Sequence, residues 1–544
     1  MAFETRLTPA MAERFRSAGL WGDTTFADLL ASRVAAHPQK FAIVDGEHRV
    51  TYAALAHGID RVADRLARLG IGAGDVVAIQ IPNWREFAFV FFALERVGAV
   101  AVTVSVDFRF RELAYMMRCA GAKGFVCCGT LRGFDHLLMA DDLRAVVPTL
   151  QVVATVRAPQ RAGMVSLDDA VDGAGPPHGF VPFRQDADTV MRMAFTSGTT
   201  GDPKGVMHSH NTTLAACRIL NDDIGLGADE RMMIWLPLGL NWGFLTLVQA
   251  LIAGATAVLL ERFRAGEGLD LLERERCTFV PTAPASLTAI LQEPDLGRRD
   301  LSALRMVVSG GASAPVETIR AWRAACPSEF LELYGMLETG YHSYTRPGDD
   351  PEAVAGSVGR RASHMGLRLV DADLRDVGEG EEGEICCDGP SVHLGYHDNP
   401  RANAEAFAAA GWFRTGDLGF LDRAGNLRIS GRVKEMINRG GKKFFPREIE
   451  EVLYAHPKVL YVAMVGLPDP RLGERNCLCV VPKPDLSPPT LDELLAFIAG
   501  DFATYKLPER VEVFEQLPFT PTGKIQRHAL VRAVMERDAA RSAA

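Results

Sequence analysis

The segment Phe195-Thr-Ser-Gly-Thr-Thr-Gly-Asp-Pro-Lys204-Gly205 constrains this chain more than any other. It gathers four hydroxyls, three glycines and one lysine directly after Val190-Met-Arg-Met-Ala-Phe195, whose β-branched start and partial alternation predict a buried strand. A strand that runs into such a loop turns backbone N–H groups and hydroxyls towards one point, which suits phosphate oxygens, and Lys204 supplies a countercharge. The spacing is not the GxxxxGK[ST] of P-loop nucleotidases. Composition alone leaves a polar surface loop as an equal alternative.

At 544 residues the chain is long enough for two or three domains. Its 48% hydrophobic and 23% charged content is that of a globular protein, and a net charge of −9 argues against a nucleic-acid partner. The N-terminus has no apolar core of a secretory signal. The most apolar stretch, Phe87 to Val106, contains Glu95 and Arg96, and Leu245 to Leu260 is short and broken by Gln249 and Gly254, so no membrane span is expected. The ten cysteines form no CxxC pair, and Cys127-Cys128 and Cys386-Cys387 are vicinal; free thiols in a reducing cytoplasm are expected.

Helical and strand patterns alternate through the first two-thirds: a helix over Tyr52 to Gly70, a strand over Val76 to Ile81, a helix over Glu86 to Val97 and a strand over Ala99 to Val106. This predicts an α/β architecture with largely parallel sheets. From about Gly378 shorter strands (Gly383 to Cys387, Gly419 to Asp422, Asn426 to Ser430) predict a β-rich subdomain. A boundary is expected at Gly431, dividing the chain into 1–430 and 431–544. Beyond it, Pro446 opens a helix with Ile449, Val452 and Leu453 on one face, within a small α+β module.

Further motifs follow in order: Tyr334-Gly-Met-Leu-Glu338, Gly395-Tyr396, Trp412-Phe-Arg-Thr-Gly-Asp417, Gly431-Arg-Val-Lys434 and Pro521-Thr-Gly-Lys524. Together with the Thr196–Gly205 loop, this series resembles the adenylate-forming superfamily of acyl-CoA synthetases, nonribosomal adenylation domains and luciferases, over Thr51-Tyr52 to Lys524. The resemblance implies a large N-terminal domain, a hinge at Lys434 and a small mobile C-terminal domain. It also implies a two-step reaction, in which a carboxylic acid and ATP give an acyl-adenylate, and a thiol then displaces AMP.

By resemblance, Lys524, Glu338 and Lys204 carry catalysis, with Lys524 bridging carboxylate and α-phosphate and Glu338 holding Mg²⁺. The nucleotide would lie against Thr196, Ser197, Gly198, Thr199, Thr200 and Gly201; the walls Gly310-Gly311-Ala312 and Glu332-Leu333-Tyr334-Gly335, with Tyr334 stacking on the base; and Asp417 with Arg432 at the ribose. Arg439, Gly440, Gly441 and Lys442 would meet coenzyme A. The acyl pocket would draw on Gly239, Leu240, Asn241, Trp242, Ala283 and Leu337. That set is apolar and rich in small residues, without an evident charge, which favours a wide aromatic, alicyclic or polycyclic acid over an amino acid, with a linear fatty acid as the competing choice.

Two residues depart from the family pattern. Leu337 stands where a threonine is usual, removing a hydrogen bond to a charged group of roughly 1.5–3 kcal/mol, and Thr339 is the candidate to compensate. Leu240 stands where an aromatic or histidine is common. Both departures fall on the ATP step, so a thiolation-only enzyme, fed with acyl-AMP by a separate adenylating enzyme, stays open beside a complete acyl-CoA ligase. A stand-alone adenylation enzyme that loads a carrier protein also stays open. The expected cofactors are ATP or acyl-AMP, coenzyme A and Mg²⁺. The expected partner is a small carboxylic acid or its adenylate, with a homodimer left open.

Overall fold

The computed structural model describes residues 3–543 apart from 178, 197–202, 409–410, 433–434, 499 and 521–522. Among the described residues two large sheets carry the N-terminal part. In the seven-stranded sheet, Val76–Gln80, Val100–Thr103, Gly124–Cys128, Val152–Val156 and Val190–Phe195 pair in parallel, and Gly205–Ser209 closes one edge antiparallel. The nine-stranded sheet is parallel through its middle, from Phe41–Asp45 to Glu329–Met336, and antiparallel at both ends. Such central strands are buried on both faces, so they read as continuous apolar runs.

Helices Tyr52–Arg68, Arg85–Arg96, His210–Ile224 and Asn241–Ala253 lie in one apolar cluster with residues of both sheets, such as Ile79 of the first and Ile234 of the second. The helix Arg85–Arg96 is accordingly buried from Glu86 to Glu95. The stretch that looked most membrane-like is this interior helix, and no described helix is long and apolar enough to cross a membrane. Its charges are accommodated: Arg96 pairs with Asp60 at 3.1 Å, and Glu95 accepts from the Ala27 N–H at 3.2 Å. Cys127 and Cys128 point to opposite faces of their strand, one into each of two apolar clusters, and the ten cysteines are free thiols.

A four-stranded antiparallel sheet follows, Gly366–Val370, Gly383–Asp388, Phe413–Leu421 and Leu427–Arg432. It is the β-rich subdomain, and it begins a strand earlier than the sequence pattern indicates. Its last strand also runs past the expected division at 430/431, to Arg432. The small C-terminal sheet starts at Ile437 and is built round the long hairpin Val459–Asp469 and Gly473–Pro482. Two apolar clusters, centred on Ile449 and on Leu530, make its core. Pro446 opens the helix Pro446–Leu453 at its first turn, where its missing N–H leaves nothing unpaired.

Glu95 gives a stability test. It is 6% exposed, and burial pushes its carboxyl up to about 7, against the Arg96 charge and the Ala27 N–H. A folded-state value above the unfolded one means the native state holds the extra proton, so this contribution is complete at low pH and is lost as pH rises through 7. Glu95→Gln should match the wild type near pH 5 and exceed it at pH 8.5 by at most roughly 3 kcal/mol, read by thermal unfolding at both pH values.

Candidate active site

A cavity of about 1290 Å³ lies where the ends of both large sheets, the four-stranded sheet and the C-terminal domain meet. The strand pair Val190–Phe195 and Gly205–Ser209 brings Thr196, Pro203 and Lys204, the described ends of the glycine- and hydroxyl-rich loop, to it. The loop's neck is closed by two hydrogen bonds of 3.1 Å, Thr196 N–H to the Lys204 carbonyl and Lys204 N–H to Thr196 Oγ1. Thr196 and Lys204 both line the cavity, whereas Ser197, Gly198, Thr199, Thr200 and Gly201 lie outside the described residues. The Lys204 ammonium sits 4.7 Å from the Tyr396 ring centroid, and the Tyr396 hydroxyl donates to Glu338 Oε1 at 3.1 Å. Burial raises the Glu338 carboxyl above the usual range; the Tyr396 hydrogen bond and the charges of Arg432 and Lys524 act in the opposite direction.

Asp417 and Arg432 face each other across neighbouring strands in register, so the sheet itself makes this pair. Arg432 Nε donates to Asp417 Oδ1 at 2.6 Å, and the Tyr334 hydroxyl donates to Oδ2 at 2.7 Å. Tyr334, expected to stack on a base, is not among the residues that line the cavity. Its hydroxyl is committed to Asp417, its ring packs edge-on to His342, and the cavity wall is made by its neighbours Leu333 and Gly335. Gly335 is demanded by backbone crowding, since a Cβ there would come 2.2 Å from the Gly340 carbonyl oxygen. Gly311 lines the cavity, while Ala312 lies exposed beyond its wall. Glu332 is buried behind the wall, and that burial pushes its carboxyl up to about 8 against the Ala314 N–H and Ser309.

Lys524 reaches the same cavity from the other domain. It stands at the end of a tight turn in which Thr520 N–H donates to the Lys524 carbonyl at 2.7 Å and Lys524 N–H to Thr520 Oγ1 at 3.0 Å. Burial, helped by Arg432, lowers its ammonium pKa, while Asp417, Glu338 and Glu435 favour the charge. Gly523 has φ +79°, and a Cβ there would lie 2.7 Å from the Cβ of Ala283. Ala283, expected in the acyl pocket, is instead the surface on which this turn rests. Three more contacts fasten the domains: Tyr461 hydroxyl to the Ala285 carbonyl at 3.3 Å, Val316 N–H to Glu451 Oε1 at 3.1 Å, and Arg447 Nη1 to the Ile429 carbonyl at 2.6 Å.

The residues expected to meet coenzyme A are elsewhere. Gly440 and Gly441 (φ +61° and +83°) turn the hairpin Ile437–Arg439 and Lys442–Phe444. Arg439 is paired with Glu509 and the Lys442 ammonium lies over Tyr505; none of the four lines the cavity. Lys434 lies outside the described residues.

Gly239, Leu240, Asn241, Trp242 and Leu337 form the apolar end of the cavity with Leu245, Met336 and Tyr341. Here the small residues do not create width. A Cβ on Gly239 would meet the Val104 carbonyl oxygen at 2.1 Å, one on Gly243 the Leu236 oxygen at 2.4 Å, and one on Gly310 the Trp242 ring at 2.9 Å. These glycines serve close backbone approach and seat the indole. Nor does Thr339 replace the missing threonine: it is 1% exposed, its hydroxyl faces the Gly340 carbonyl, and it is not part of the wall. Leu337 is held by its own carbonyl, which accepts from His208 Nε2 at 2.8 Å. Burial holds His208 down at about 4, so this ring is neutral.

None of the expected acyl-pocket residues is charged, but one cation lies behind their wall. Arg192, in the strand before the loop, is 1% exposed and bonded to Thr103 and Asn241, both in the cavity wall. An arginine between two methionines in an otherwise apolar strand was the available signal.

Among the described residues no cluster of three or more His, Cys, Asp or Glu side chains is arranged for a metal. Glu338 alone fits Mg²⁺ only as one protein ligand, the rest being phosphate and water oxygens. Bound so, Mg²⁺ would neutralise phosphate charge.

The family description "AMP-binding enzyme" matches residues 30–397, and "AMP-binding enzyme C-terminal domain" matches 448–524. The chain belongs to the adenylate-forming, AMP-binding enzymes. It is 34% identical over 533 residues to a medium-chain fatty-acid–CoA ligase of Escherichia coli (strain K12), covering 96% of this chain and 93% of that one. It is 33% identical over 535 residues to 2-hydroxy-7-methoxy-5-methyl-1-naphthoate–CoA ligase of Streptomyces carzinostaticus, covering 96% and 95%. The crystal structure of the anthranilate CoA ligase AuaEII with anthranoyl-AMP superposes with a TM-score of 0.88 at 26% identity, covering 96% of this chain and 99% of that one. With CoA ligases among its full-length relatives, this AMP-binding enzyme is an acid–thiol ligase.

Gly523→Ala tests the docked arrangement. A Cβ at positive φ against Ala283 should loosen the Lys524 turn and slow acyl-adenylate formation roughly tenfold or more, at an overpacking cost of about 1–3 kcal/mol. Thioester formation from supplied acyl-adenylate should change less than threefold. Pyrophosphate release and thioester appearance, measured separately, check this.

Proposed function

We propose that the protein is an acyl-CoA ligase that joins an apolar, ring-containing carboxylic acid to coenzyme A through an acyl-adenylate. The observation that carries this reading is the convergence of Lys204, Glu338, Arg432 and Lys524 on one cavity whose other end is the apolar wall of Leu240, Trp242, Leu245 and Tyr341. In the first step a carboxylate oxygen attacks the α-phosphorus of ATP and the bond to pyrophosphate breaks. Each reacting group is anionic, so positioned cations and hydrogen-bond donors lower the barrier by charge neutralisation. Lys524 would face the developing charge, Lys204 the phosphates, and Asp417, fixed by Arg432 and Tyr334, would accept from the ribose hydroxyls.

In the second step a thiolate sulfur attacks the acyl carbonyl and AMP leaves. The Gly440-Gly441 turn lies outside the cavity wall while Lys524 lines it. The two sites on one small domain support a rotation about the segment at Lys434 that exchanges them. Ring acids are favoured because Trp242 lines the apolar end, where its indole would obstruct a long chain, and because matched proteins are named as naphthoate and anthranilate ligases.

A second reading keeps the same site. Leu337 puts an apolar side chain in the wall where a phosphate donor is usual, and Thr339 faces away, which favours a weak ATP step and thiolation of acyl-AMP made elsewhere. Transfer to a carrier protein instead of coenzyme A is separated by whether free coenzyme A is consumed.

Lys524→Ala should lower pyrophosphate release with ring acids at least 100-fold and leave thioester formation from synthetic acyl-adenylate within about threefold. Leu337→Thr should raise the first step roughly tenfold, the size of one restored hydrogen bond to a charged group. Pyrophosphate release by the wild type at less than a hundredth of the thioester rate would replace the first reading with the second.

A further inference from the structure

Arg192 is the buried cation that the two chemical steps leave unused. Nε donates to Thr103 Oγ1 at 3.1 Å, Nη1 donates to Asn241 Oδ1 at 2.9 Å, and the guanidinium carbon lies 4.1 Å from the Phe244 ring centroid. Nη2 is fully buried with no acceptor, and no carboxylate among the described residues pairs with the group. A guanidinium carries five N–H donors, so burying one donor unmatched costs about 1–3 kcal/mol or more. Packing does not explain the choice: its neighbours Met191 and Met193 fill equally buried positions on the same strand.

Arg192 lines a chamber of about 10 Å³, bounded also by His208, Thr212, Thr213 and Ser391. The chamber shares Asn241, Leu245 and Gly340 with the apolar end of the large cavity. Of its other polar groups, His208 is bonded to Leu337 and Thr212, the Ser391 hydroxyl donates to the Thr339 carbonyl, and Thr213 also borders the chamber. The volume is that of a single water-sized atom, which admits one oxygen and excludes a carboxylate or phosphate.

We propose that Arg192 is a specificity-determining residue that donates through Nη2 to a single acceptor oxygen, hydroxyl, ether or carbonyl, on the acyl group of the acid. The inference rests on the ligase reading of the cavity and narrows its substrate class from an apolar ring acid to a ring acid bearing one such oxygen. A site built to hydrogen-bond a substrate oxygen rejects the analogue that lacks it, because its own buried donor is then left bare.

The test is direct binding of non-hydrolysable acyl-sulfamoyl adenosines, made in matched pairs of ring acids with and without one hydroxyl or methoxy group at successive ring positions, to the full-length protein by calorimetry. The wild type should prefer the oxygen-bearing member at one or more positions by roughly 10- to 100-fold. Arg192→Met should bring that ratio within about threefold while still binding the oxygen-free member, and Arg192→Lys should keep part of it. The Lys variant and the wild-type ratios stand if the Met variant does not fold. Equal binding of every pair by the wild type, or an undiminished preference in either variant, overturns the role of Arg192 and leaves the ligase reading intact. Failure of all the adenosines to bind overturns the ligase reading itself, and this inference with it.

Discussion

Lys524 is held beside a second cation, Arg432, at the edge of a cavity, and the arrangement exists because three carboxylates, Glu338, Asp417 and Glu435, stand close enough to offset the repulsion. Burial works against every charge involved, lowering the Lys524 ammonium and raising the Glu338 carboxyl. The balance is local and holds only while the small domain is docked. Moving Lys524 away removes one cation from Glu338 and Asp417 and exposes their charge to solvent. The cations gathered at this cavity therefore suit anionic partners.

The scaffold around that balance is rigid for a simple reason. The helix Arg85–Arg96 and its neighbours lie between two sheets, so the strand ends that carry Thr196, Leu333 and Gly311 are set by one shared apolar cluster. Asp417 and Arg432 are set by strand register. Lys524 comes from the C-terminal domain, as do Glu435, Glu474 and Arg527 in the same wall, and it stands on a turn fastened by Gly523 against Ala283. The geometry thus brings groups from both domains to one cavity.

The motifs made much of this legible without coordinates. Phe195 to Gly205 read as a strand, a loop and a lysine; Thr415-Gly-Asp417 and Pro521-Thr-Gly-Lys524 marked residues that do face, or brace, one cavity. The alternation of helical and strand periods read correctly because the parallel strands are short, apolar and separated by amphipathic helices. What misled was size. Gly239, Gly243 and Gly310 suggested width, yet each is small because a carbonyl or an indole already occupies the space beside its Cα. Tyr334 and Ala283 suggested ligand contacts, and the structure shows them bracing Asp417 and the Lys524 turn. Arg192 went unnoticed because its partners, Thr103 and Asn241, lie 89 and 49 residues away.

The amino-acid sequence by itself determined the family chemistry and the order of the elements, since those depend on local pattern: a hydroxyl-rich loop after a strand, a Gly-Lys turn near the end, periodicities of two and of 3.6. Only the tertiary structure decided which small residues border free space, which carboxylates offset the lysine, and that a buried arginine backs the acyl wall. Those are questions of what lies across a gap between distant segments, and the space beside a side chain is a property of its neighbours, which no local pattern records.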